Sequence, residues 1–105
     1  MKINNFDNVF FSKLRLSIIT HLYLQGMYFG ELKERTGASD GNLSVQLSKL
    51  ENIGYIVSRK ETHKKKIRTE YSLTELGKES FLEYVGFLET VINSEERQFE
   101  RRRCV

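Results

Sequence analysis

Asn42, Gln46 and Lys49 stand at i, i+4 and i+7, a spacing that stacks three polar side chains along one face of a helix. A carboxamide presents a donor and an acceptor side by side, the pair that matches the major-groove edge of adenine, and an ammonium donates to guanine or to a phosphate oxygen. Ser39 and Ser44 carry hydroxyls short enough to reach phosphates near a helix start, and Val45 shares the face. Downstream, Arg59, Lys60, His63, Lys64, Lys65, Lys66 and Arg68 crowd one short run. Residues 55–72 hold six Lys or Arg against Glu61 and Glu70, whereas residues 1–54 hold six against five acids and residues 73–105 hold five against seven. The net charge of +3 is thus concentrated in one segment, and a polyanion is the partner to test against it.

Other chemistries lack their parts. There are no paired carboxylates in a loop, no nucleophile beside a base and no glycine loop to cradle phosphate, so no enzyme and no cofactor are expected. His21 falls within an apolar helical pattern far from His63, and Cys104 is the only cysteine, which leaves no metal set and no internal disulfide and suits a reducing cytoplasm. The 105 residues suit one domain, 1–105, and 39% hydrophobic with 30% charged residues describe a folded chain. No apolar run approaches the roughly 18 residues that span a bilayer, so no membrane partner is expected.

The elements that must position these residues follow from changes of hydrophobic period. Phe10, Leu14, Ile18 and Leu22 recur at helical spacing and predict a first helix over 7–25, with Asp7 as its cap. Met27 to Phe29 read as an extended connector and Glu31 to Thr36 as a short helix ending at Gly37. Ser39 caps a third helix with Leu43, Leu47 and Leu50 inward, so 30–54 forms two helices around a tight turn. From Tyr55 the period changes to two: Ile67, Thr69, Tyr71 and Leu73 alternate with polar residues and pair with Tyr55 to Lys60, a hairpin over 55–73 with Glu61 to Lys66 as its tip. Thr74 opens a long last helix over 74–103, with Phe81, Val85, Leu88 and Ile92 in register.

Five blocks in this order, Phe29-Gly30-Glu31-Leu32-Lys33, Thr36 to Ser44, Leu47 to Glu51, Gly54-Tyr55-Ile56 and Leu73-Thr74-Glu75-Leu76-Gly77, resemble the MarR/ArsR-like winged-helix regulators over roughly residues 10–90. The resemblance implies an α+β, mainly α, winged helix-turn-helix with a two-stranded wing and a long C-terminal dimerisation helix. It also implies a DNA-binding transcriptional regulator, a repressor acting as a homodimer on double-stranded DNA. The third helix would enter the major groove through Ser39, Asn42, Ser44, Val45, Gln46 and Lys49. The basic hairpin, Arg59 to Arg68, would contact phosphates or a minor groove. Phe6, Phe10, Phe81, Val85, Leu88 and Ile92 would supply the dimer interface, since these apolar residues exceed what one small core buries. The metal-binding Cys/His clusters and effector pockets of sensory members have no counterpart in the sequence, so a small-molecule effector is left unassigned, as is a role for Arg101 to Arg103. The competing reading is a winged helix used as a protein-interaction module; a polar third helix and a basic wing favour DNA.

Overall fold

A computed structural model describes residues 8–103, with side chains described as far as Ser94. A 3-10 turn at Asn8–Phe11 leads into four helices and three strands: α1 (Lys13–Leu24), β1 (Met27–Tyr28), α2 (Phe29–Thr36), α3 (Asp40–Asn52), β2 (Ile56–His63), β3 (Lys66–Leu73) and α4 (Glu75–Arg103). The strands form one antiparallel sheet in the order β1-β3-β2. This is the winged-helix fold, mainly helical, with the β2–β3 hairpin as its two-stranded wing.

The first helix starts later than its periodicity suggests. Ser12 caps α1, its Oγ accepting from the Arg15 N–H at 3.3 Å, so Phe10 reaches the core from the separate 3-10 turn. Asp7, the cap expected from sequence, lies outside the described residues, as do Phe6 and Cys104. The extended connector is a strand, Met27 pairing with Tyr71 and Tyr28 with Glu70, and α2 begins at Phe29 rather than Glu31. Glu31 serves that start: its carboxylate accepts from the Tyr28 N–H at 3.1 Å.

The turn between α2 and α3 is fixed by backbone demands. Gly37 closes α2 in the left-handed region, with a φ of 72° that a side chain disfavours. Two residues later, the Ser39 hydroxyl accepts from the Asn42 N–H and caps α3. Leu43, Leu47 and Leu50 bury one face of α3 against Ile18, Ile19, Leu22 and Leu32. Phe10 stacks on Tyr84, with ring centroids 4.8 Å apart, and on Tyr55, which ties the start of the chain to α4.

At the base of the wing α4 passes close to the chain leaving α3. The Thr74 hydroxyl donates to the Gly54 carbonyl at 2.6 Å and accepts from the Gly77 N–H at 3.0 Å, while the Thr74 N–H donates to the Tyr55 carbonyl. A β-carbon at Gly77 would run into that carbonyl, which is why this turn of α4 carries glycine.

Candidate nucleic-acid interface

With three leucines committed inward, α3 turns Ser39, Asn42, Ser44, Val45 and Lys49 to the outside, Val45 at 52% exposure. Helical geometry also adds residues that the sequence reading missed. Ser48 and Asn52 continue the row that Gly41 and Val45 begin, at i, i+4, i+7 and i+11, along the middle of the face opposite the leucines, and all four are exposed. The spacing from Leu43, Leu47 and Leu50 was the signal that could have found Ser48 and Asn52.

Gln46 differs from its neighbours. It is half-buried at the edge of the leucine face, and its Oε1 accepts from Arg15 Nη1 at 2.8 Å. Arg15 also donates through Nε to the Val9 carbonyl and through Nη2 to the Asn8 carbonyl, both at 3.2 Å. One guanidinium therefore clips α1, the 3-10 turn and α3 together. Beside it, Asn8, Val9, Arg15, Lys49, Asn52 and Ile53 line an open cleft of about 500 Å³. At the other end of α3, Lys33 pairs with Asp40 at 2.8 Å across the helix-turn-helix.

The wing is longer and its tip tighter than expected: β2 and β3 pair from Ile56↔Leu73 out to His63↔Lys66, which leaves a turn of only two residues, Lys64 and Lys65. Both lie at positive φ, 50° and 65°, as the right-handed twist of a two-residue hairpin demands. Lysine is an unusual occupant there, since each non-glycine residue in that region meets its own carbonyl.

Pairing across the strands sorts the basic residues. Arg59 lies opposite Glu70 and Glu61 opposite Arg68, so all four share one face of the sheet. Arg68 Nε donates to Glu61 Oε1 at 2.8 Å and Arg59 Nη2 to Glu70 Oε1 at 3.1 Å. Both arginines, expected to meet DNA, are thereby occupied within the sheet, because the register places each against a carboxylate. Lys60, Lys64, Lys65 and Lys66 form no ion pair among the described residues and are exposed, as is His63. The four surplus charges of the segment are thus these four lysines.

Glu61 is also the hub that ties the wing to the helices. The Tyr28 hydroxyl donates to its Oε1 at 2.6 Å, and the Arg68 guanidinium sits 4.0 Å from the Tyr28 ring centroid. The hydrogen bond from Tyr28, then that from Arg68, holds the Glu61 carboxyl below its ordinary value, and the bond to Glu61 pushes the Tyr28 phenol up.

The apolar residues expected at a dimer interface divide. Phe10 and Phe81 are 3% and 8% exposed and belong to the core of this chain, because the 3-10 turn folds Phe10 under α4. They have almost no surface left for a partner. Val85 packs partly against the same core, whereas Leu88, Val91 and Ile92, at i, i+3 and i+4 on α4, are exposed, Ile92 at 55%.

Residues 14–92 match the family described as Winged helix DNA-binding domain. The chain belongs to that family. The uncharacterized protein MJ0432 of Methanocaldococcus jannaschii is 35% identical over 78 residues, 73% of this chain and 85% of the relative. A MarR-family transcriptional regulator structure from Porphyromonas gingivalis superimposes with a TM-score of 0.67 at 28% identity, covering 81% of this chain and 83% of the other. A transcriptional regulator homologue from Pyrococcus horikoshii reaches a TM-score of 0.77 at 22% identity, covering 84% and 88%. The chain is a MarR-like winged-helix protein, and no described helix of it is long and apolar enough to cross a membrane.

Proposed function

We propose that this winged-helix protein is a sequence-specific regulator that binds double-stranded DNA as a homodimer. The observation that carries the reading is the pairing of an α3 face that is exposed and polar with a wing whose four lysines have no internal acid to neutralise them. Asn42, Ser44, Val45, Ser48 and Lys49 enter the major groove, with the half-buried Gln46 at the flank of the same face, while Lys60, Lys64, Lys65 and Lys66 take phosphates beside it. Arg59 and Arg68 stiffen the wing instead of touching DNA.

One such unit reads only a few base pairs, and a two-fold dimer doubles the site. Leu88, Val91 and Ile92 on α4 are the face offered to the second copy. A dimer seated over the groove and its flanking phosphates blocks other proteins from the same DNA, so repression is the proposed mode, exercised in the cytoplasm. Selection from a pool of random duplexes at moderate salt tests the reading. A recovered pseudo-palindrome, with Asn42→Ala losing preference at defined positions and Lys65→Ala weakening every duplex alike, supports it. Recovery of no sequence, with binding to a protein partner instead, favours the interaction module.

A further inference from the structure

From the contact between α1 and α3 we infer that Arg15 sets which base Gln46 reads, by turning its carboxamide into an outward donor. The inference rests on the DNA-binding reading above and deepens it.

Guanidinium has five N–H donors and no acceptor, so the atom of Gln46 that faces Arg15 must be the amide oxygen, whichever way the amide is drawn. The contact is charge-assisted, 2.8 Å long and half-buried. Two further bonds, to the carbonyls of Val9 and Asn8, keep Arg15 from following the glutamine outward. With Oε1 held by Arg15, the NH₂ group is the half of the amide left for a base. Pairing with adenine needs the oxygen and nitrogen of the amide side by side at the base edge. Such an NH₂ meets an acceptor instead: the two of guanine, O6 and N7, first, then O4 of thymine, whereas adenine offers it N7 alone beside the repelling N6 donor. Cytosine presents only its N4 donor there and is refused. Arg15 is a positioning residue that acts through Gln46, and Asn42, which is exposed, keeps both halves of its amide for adenine.

The test measures binding of full-length wild type, Gln46→Glu and Arg15→Leu to duplexes in which each position of the selected half-site carries each of the four base pairs. Wild type prefers guanine or thymine over cytosine by about tenfold or more at one position. Gln46→Glu keeps the bond to Arg15 but turns an acceptor outward, so preference at that position moves to cytosine while the thermal midpoint holds. Arg15→Leu frees the amide, and preference there moves to adenine. Unchanged base preference in Gln46→Glu, or adenine preference at that position in wild type, overturns the inference alone. Failure of wild type to bind any duplex at low salt overturns the DNA-binding reading and the inference with it.

Discussion

Glu61 shows how a single side chain decides what its neighbours can do. By accepting from Arg68 and from Tyr28 it engages one cation of the wing and moors the wing to the start of α2. Because its carboxyl is held below the ordinary value, its contribution to folding is present above the unfolded carboxylate pKa and is lost as pH falls through the lower folded value. Tyr28 has the opposite sign: its raised pKa means that its contribution holds below the ordinary phenol value and is lost as pH rises through the raised one. Tyr28→Phe removes the hydrogen bond that does most to hold the Glu61 carboxyl down, so Glu61 should titrate at higher pH than in wild type. Carboxyl chemical shifts followed through an acid titration read this directly, and an unmoved Glu61 titration would refute the mooring. None of this was legible in the sequence, where Arg59 and Arg68 look as available as the lysines. Which cation faces an acid depends on strand register, and a reading that ends β2 at Lys60 never places Glu61 opposite Arg68.

Elements were more legible than pairings. The leucine spacing of α3, its Ser39 cap and the Gly37 stop are local signals, and the structure has each where the sequence puts it. The start of α1 was misplaced because Phe10 continues the helical period of Leu14 and Ile18 while belonging to a separate 3-10 turn. The hairpin turn was obscured because Lys64 and Lys65 occupy positions that Asn and Gly signal elsewhere. That choice suggests a fold penalty tolerated for charge at the tip. The double variant Lys64→Asn, Lys65→Gly should therefore raise stability by about 1 kcal/mol in thermal or denaturant unfolding, given roughly 1–2 kcal/mol per non-glycine residue in the left-handed region. The same variant should weaken DNA binding on every sequence. Gain of stability with unchanged affinity would remove the tip from the interface. At the other end of the wing, Gly77→Ala drives a methyl group into the Tyr55 carbonyl and should cost about 1–3 kcal/mol, read as a lowered urea midpoint.

At the scale of the whole molecule, the monomer buries Phe10 and Phe81 and leaves Leu88, Val91 and Ile92 on the outside of α4. Sequence periodicity could not separate these sets, since all lie on helical repeats and only the folded 3-10 turn shows which are already covered. A Leu88→Asp, Ile92→Asp variant should keep its far-UV circular dichroism yet sediment as a monomer and lose affinity for the two-fold site; a variant that stays dimeric would move the interface elsewhere. The central claim, a two-part grip on double-stranded DNA, is tested most directly by fluorescence anisotropy of the selected duplex and a scrambled one across salt concentrations, for wild type and Lys65→Ala. Such a grip gives salt-dependent binding to both duplexes, tighter to the selected one, and a slope of log affinity against log salt that flattens by about 0.9 for each phosphate that Lys65 no longer neutralises. Equal affinity for both duplexes, or a slope that Lys65→Ala leaves unchanged, would contradict it.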